Sequence, residues 1–163
     1  MTNWEVIVNE QGPALFGVAS RILGNTADAE DVVQDVFLEA FRLQQRRSVN
    51  QWSGLLRRIA VCRALDRLRQ RKISVSLDDL TLVARTGDPV ANAIGRELAE
   101  RLREAIAELP QHEAEVFCLR YFEDMTYQQI ADALNTTSGA VGTALHKARA
   151  KLETMLSEVV KGE

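Results

Sequence analysis

The sequence predicts an all-α protein: two small helical domains joined by a flexible linker, the C-terminal one a helix-turn-helix. Three observations lead there. Apolar residues recur with helical period along almost every segment, and nothing alternates convincingly like a strand. One stretch, "ISVSLDDLTLVARTGDPVANAIG" at 73–95, breaks that period and is rich in Ser, Thr and Asp. Finally, "TYQQIADALNTTSGAVGTALHKARAKL" places a short helix and a longer one on either side of the turn "NTT". An irregular run of about twenty residues is atypical inside a compact domain. The expected division is therefore a domain at 1–72, a linker at 73–95 and a second domain at 96–163. Each half has roughly 70 residues, enough for a modest core.

Taken in order, "PALFGVASRIL" has Pro13 in a first-turn position and puts Leu15, Val18, Ala19 and Ile22 on one face. Gly24-Asn25 ends that helix, and Thr26 or Asp28 can cap the next. "DAEDVVQDVFLEAFRLQQRR" carries Asp28, Glu30 and Asp31 in its first turn and Arg46 and Arg47 in its last, so both ends complement the helix dipole. Its apolar stripe is Val32, Val33, Val36, Phe37, Ala40 and Phe41. The third helix, "QWSGLLRRIAVCRALDRLRQRK", turns Leu55, Leu56, Ile59, Ala60, Leu65 and Leu68 inward and spreads seven basic residues over the remainder. After the linker come "RELAERLREAIAEL", stopped by Pro110, and "QHEAEVFCLRYF". Thr126 with Gln129 three residues on is a capping box. Asn135 suits the left-handed position that ends a helix, and Thr137 or Ser138 can cap the last one.

The net charge of −3 hides a polarity along the chain. Residues 1–41 sum to −6, residues 42–72 to +9, residues 73–95 to −2 and residues 96–163 to −4. A +9 block of 31 residues is the footprint of a polyanion partner, which the overall acidity would not suggest. Charge runs are usually solvated faces, but this one holds ten basic residues against the single acid Asp66. Trp52 at its start is by default a core residue and alternatively a platform for an unpaired base.

In the helix-turn-helix, Ile130, Ala131, Leu134, Val141 and Leu145 form the core pattern. Thr143, His146, Lys147, Arg149 and Lys151 could reach bases or phosphates. With that half at −4, tight binding by this half alone is not expected, since phosphate neutralisation supplies the sequence-independent affinity.

Other classes find little support. The acidic cluster Asp28, Glu30, Asp31 and Asp35 lacks the glycine and terminal glutamate of a calcium loop, and a partner-protein surface explains it better. "HEAEV" at His112 opens like a zinc-protease helix, but Val116 stands where the second histidine is required. No phosphate-binding loop, nucleophile elbow or plausible triad occurs, so neither catalysis nor a metal or cofactor is expected. Cys62 and Cys118, far apart in apolar helical contexts, read as buried free thiols. The acidic N-terminus is not a secretory signal, and no apolar run approaches the ~20 residues that span a bilayer. The expected location is the cytoplasm.

Three segments resemble one family. "GNTADAEDVVQDVFLEAFR" is similar to the polymerase-binding helix of bacterial extracytoplasmic-function sigma factors, typically D-A-E-D-L-V-Q-E-T-F-L. "IAVCRALDRLRQR" resembles their promoter-melting helix, and "LPQHEAEVFCLRYFEDMTYQQIADALNTTSGAVGTALHKARAKL" their C-terminal domain. The matches are collinear and cover nearly the whole chain. The resemblance implies docking on core RNA polymerase through Asp31, Gln34, Asp35, Phe37 and Leu38, some of them also buried. It implies minus-ten recognition of promoter DNA by Arg46, Arg47, Asn50, Arg58, Arg63, Arg67 and Arg69, with the loop around Arg46–Gln51 holding a flipped base. It places Thr137, Ser138, Gly139, Thr143, His146, Lys147 and Arg149 at the minus-thirty-five element. It also implies an anti-sigma protein as a further partner.

The chain departs from that pattern. Where the family often has V-K-S-R-L-H, it reads Val141, Gly142, Thr143, Ala144, Leu145, His146, so two basic contacts are gone. Cys62 stands where Asn is usual, and Gly54 where Trp is. Glycine and alanine there would still allow close backbone approach and methyl contacts. Two other readings stay open: a stand-alone helix-turn-helix regulator, and a polymerase- or partner-binding adaptor that has lost promoter reading.

Overall fold

A computed structural model describes residues 2–46, 48–49, 51–75 and 91–161. Within them the chain forms seven α-helices and no strand: α1 Trp4–Leu23, α2 Thr26–Arg46, α3 Trp52–Val75, α4 Ala91–Glu108, α5 Gln111–Tyr121, α6 Tyr127–Leu134 and α7 Ser138–Lys161. The linker expected at 73–95 is helical at both ends, and its remainder lies outside the described residues.

Helix α1 begins nine residues before Pro13, which sits inside it. The Asn3 side chain caps it, accepting from Val6 N at 3.3 Å. An interior proline removes one ladder bond, yet Trp4 and Ile7 pack on the same core as Leu15, Val18 and Ile22. Tertiary burial therefore carries the helix through. Gly24, at φ 67°, closes it in the left-handed conformation, and its N–H donates to Ser20 O at 2.7 Å. The cap of α2 is Asn25, whose side chain accepts from Asp28 N at 3.0 Å. Neither Thr26 nor Asp28 is the cap, because the helix starts at Thr26, two residues before the acidic first turn suggested. The capping box of α6 forms as expected: Thr126 Oγ1 accepts from Gln129 N at 3.1 Å, and Gln129 Oε1 from Thr126 N at 2.9 Å. Asn135, at φ 56°, ends α6. Thr137 caps α7, accepting from Ala140 N at 3.1 Å.

α1, α2 and α3 pack mutually around Leu15, Val18, Ile22, Val32, Val36, Leu56 and Leu65, all fully buried. α5, α6 and α7 pack around Val116, Leu119, Ile130, Val141 and Leu145. α4 lies against both α3 and α7, and α3 also touches α5 and α6. The two halves are thus in contact along α3, the basic helix.

Candidate polymerase and nucleic-acid interfaces

The basic face of α3 is extensively paired. Arg63 Nε donates to Glu39 of α2 at 2.7 Å and Nη1 to Asp66 at 3.0 Å. The hydrogen bond to Glu39 is the main reason the Arg63 guanidinium holds its proton more tightly than usual. Arg67 lies 3.4 Å from Asp28 and 3.3 Å from Asp31, so a residue expected on DNA meets one expected on polymerase. Arg71 donates to Leu23 O at 2.8 Å. Such part-exposed pairs contribute only about 0.2–1 kcal/mol each, so a polyanion can displace them. Arg58 is half-buried and Arg46 exposed; Arg47 and Asn50 lie outside the described residues.

Other arginines reach across to the C-terminal half. Arg69 donates to the main-chain oxygens of Ala107 at 3.3 Å and Leu109 at 3.0 Å, and to the side chain of Gln111. Glu123, between α5 and α6, has a side chain only 5% exposed. Arg21 of α1 donates to its Oε1 at 3.0 Å, while Arg57 Nε stands 3.3 Å from Oε2 without the alignment of a hydrogen bond. Burial pushes the Glu123 carboxyl above the ordinary range, outweighing the pull of Arg57 and Arg21. The thiol of Cys62 donates to Glu115 at 2.5 Å; burial first, then that bond, push it up to about 12. Cys118 is fully buried and shifted up by desolvation. Both thiols are free and neither has the character of a reactive thiolate.

At the start of α3, Trp52 is half-buried and meets Trp4 edge-on at 4.9 Å; Trp4 also contacts Phe41 at 5.8 Å. That aromatic cluster gives Trp52 the core role. Gly54, with no neighbour where a β-carbon would stand, helps to open a cleft of about 360 Å³ between Gln51, Ser53 and Arg57 on one side and Met125, Gln129 and Asp132 on the other.

On α2, Asp31, Gln34, Asp35 and Leu38 are exposed, and Phe37 is half-buried against the core. Leu38 at 56% and Phe41 at 45% are large apolar side chains left to solvent beside acidic ones, the composition of a protein-docking surface.

On the helix-turn-helix, Thr137, Gly139, Thr143, His146, Lys147 and Arg149 are exposed and Ser138 is half-buried. The Ser138 hydroxyl donates to Gln128 at 2.9 Å, tying α7 to α6. Thr143 donates to Gly139 O at 3.1 Å, and Arg149 lies over the Tyr121 ring at 5.4 Å. Lys151, also exposed, is paired with Glu113 at 2.8 Å and braces α7 on α5. One expectation fails here. Ala144 is only 7% exposed, in line with Val141, Leu145 and Ala148, so its methyl group belongs to the core and offers no close approach to a ligand. Gly142 lies under Tyr127, 3.5 Å from where a β-carbon would stand.

Sequence reading missed Glu39, Glu113, Glu115, Glu123 and Arg21 as organising residues, and with them Arg103 of α4, which donates to Ile22 O at the end of α1 at 3.0 Å. "HEAEV" could have signalled Glu113 and Glu115, since two acids sit there within the apolar stripe of α5.

Comparison with known proteins settles the class. The family description "Sigma-70 region 2" matches residues 7–73, and "Sigma-70, region 4" matches 99–152. The chain carries regions 2 and 4 of the sigma-70 family, the two matches together spanning most of its length, and is similar to extracytoplasmic-function sigma factors. It is 28% identical over 94% of its length, and 88% of the relative's, to the ECF RNA polymerase sigma factor SigW of Bacillus subtilis (strain 168). Its fold is shared with the sigma factor RpoE of Bartonella quintana, solved with the anti-sigma factor NepR (TM-score 0.56, 19% identity, 94% and 96% of the two chains). It is also shared with CnrH, solved with the cytosolic domain of CnrY (TM-score 0.59, 23% identity, 94% and 86% of the two chains). Among the described residues the fold is all-helical, with the helix-turn-helix in the region 4 match. Among the described residues no helix is long and apolar enough to cross a membrane, and no three His, Cys, Asp or Glu converge as metal ligands.

Proposed function

We propose that this sigma factor binds core RNA polymerase through α2 and directs promoter-specific initiation, with 1–72 serving polymerase binding and minus-ten melting, 73–95 as linker and 96–163 reading the minus-thirty-five element. The observation carrying this reading is the division of labour between adjacent helices. α2 presents Asp31, Gln34, Asp35 and Leu38 to solvent beside half-buried Phe37, while α3 carries the concentrated positive charge. Arg46, Arg47, Asn50, Arg58, Arg63, Arg67 and Arg69 would serve the minus-ten element. Thr137, Ser138, Gly139, Thr143, His146, Lys147 and Arg149 would serve the minus-thirty-five element. With Gly142 and Ala144 adding no charge, the latter contact is weak alone. Tethering both domains to one polymerase compensates through effective concentration, worth about 10²–10⁴-fold.

An anti-sigma protein is proposed as a regulator, by analogy with the two solved complexes. The protein acts in the cytoplasm, where polymerase is, and performs no catalysis of its own. Run-off transcription with core polymerase on a promoter library tests the reading. Protein-dependent transcripts support it; core binding without transcripts favours the adaptor, which Gly142 and buried Ala144 alone recommend. Neither core binding nor transcripts overturns both.

A further inference from the structure

At the start of α7 the hydroxyls are already engaged within the protein. Thr137 Oγ1 accepts from Ala140 N at 3.1 Å. The Ser138 hydroxyl donates to Gln128 at 2.9 Å, and the Thr143 hydroxyl to Gly139 O at 3.1 Å. Residues 138–145 include no Arg, Lys, Asn or Gln, the side chains that grip a base edge with two hydrogen bonds at once. What this segment turns outward is hydrocarbon. Gly139, Ala140 and Thr143 are exposed, opposite the buried line of Val141, Ala144, Leu145 and Ala148. Gly142 adds no side chain of its own beside the exposed Tyr127 ring. His146, next on the same face, can offer a base edge one hydrogen bond. The first cation of the helix, Lys147, comes only in its third turn.

We propose that Ala140 and Thr143 set the specificity of this helix by packing their methyl groups on the C5-methyls of thymines in the minus-thirty-five element. Thymine is the one base that carries a methyl group into the major groove, and alanine and threonine methyls suit it. Gly139, exposed between them, lets the backbone come close enough for short side chains to touch. With its hydroxyl hydrogen spent on Gly139 O, Thr143 keeps its methyl group for the base. A cytosine in place of either thymine removes the methyl and brings an amino group against hydrocarbon, a donor left without a partner. The preferred element is therefore rich in A·T pairs with thymines at the two contacted positions. Methyl reading rests on the sigma reading above for the site, and goes beyond it in naming the base and the two residues that select it.

The test uses the full chain bound to core polymerase, on duplex promoter fragments randomised in the minus-thirty-five element. The fragments that bind best at fixed ionic strength are sequenced, then remade with deoxyuridine for each enriched thymidine in turn. Deoxyuridine keeps every hydrogen-bonding group of the base and removes only the methyl. Two of these replacements are expected to weaken binding by about fourfold each, the worth of one buried methylene. In Thr143→Ser and in Ala140→Gly, one of the two thymidine-over-deoxyuridine ratios is expected to fall to one, a different one in each variant. That ratio is insensitive to a general loss of folding or affinity, since both fragments meet the same protein. Equal binding of thymidine and deoxyuridine fragments by the wild type overturns methyl reading and leaves the sigma reading standing. A thymidine preference that survives in both variants overturns the assignment to Ala140 and Thr143, and traces it to DNA shape. Enrichment of guanines without thymines overturns it as well. Failure of the protein to bring polymerase to any fragment overturns the sigma reading, and methyl reading with it.

Discussion

The Arg103 guanidinium lies over Gly24 so closely that a β-carbon on Gly24 would stand 2.5 Å from its central carbon. Gly24 is also at φ 67°, where side chains are strained. Gly24→Ala is expected to cost about 1–2 kcal/mol from the backbone alone, and to displace Arg103 besides. Urea denaturation reads the first effect; a cost beyond that backbone figure, absent when Gly24→Ala is made in an Arg103→Ala background, reads the second. An alanine variant of wild-type stability would show that the turn adjusts freely.

Glu123 should make stability fall with pH. Its folded carboxyl is shifted above the unfolded value by burial, so the folded protein holds the proton through a window where the unfolded chain has lost it. The contribution is full below the ordinary glutamate range and is lost as pH rises through the raised value. Glu123→Gln removes that dependence, while Arg21 and Arg57, half- and one-third-exposed, turn to water. Thermal unfolding of both proteins from mildly acid to neutral pH should show the variant gaining on the wild type. Parallel curves would contradict the assignment.

Leu38 and Phe37 are neighbours with different duties. Leu38 is exposed, so Leu38→Ala is expected to leave Tm within a degree or two and weaken core polymerase binding by about tenfold, the effect of truncating one interface anchor. Phe37→Ala removes a side chain packed on the core and should cost stability by about 2–3 kcal/mol as well. Surface-immobilised core polymerase and a melting curve separate the two. Unchanged polymerase affinity in Leu38→Ala would remove α2 from the interface.

Restoring charge to the recognition helix has one permitted position. A β-carbon at Gly142 meets Tyr127 at ordinary contact distance, so Gly142→Lys should fold and steepen the salt dependence of DNA binding by about 0.9 in the log–log slope for one added phosphate contact. Ala144→Arg would force a long cation into the line of Val141, Leu145 and Ala148, and is expected to cost about 1–3 kcal/mol. A stable Ala144→Arg with enhanced binding would show that this face of α7 is open after all.

The helices, most of their caps and the helix-turn-helix were legible in the sequence, because each depends on residues at most four apart: Thr126 with Gln129, Asn135 after Leu134, the stripe Val32–Val36–Ala40. The concentration of charge at 42–72 was equally plain. Tertiary structure decided what that charge does at rest. Arg63 finds Glu39, Arg67 finds Asp28 and Asp31, and Arg21 finds Glu123, partners separated by 24 to 102 residues. Nothing local marks such pairs, since they follow from how helices cross and not from their period. The same holds for Pro13, carried inside α1 by the burial of Trp4 and Ile7, and for Ala144, turned inward by the packing of α7. Local spacing determines which helices form and which faces they offer; only the packing of helix on helix, within and between the halves, settles which charges remain available to a partner.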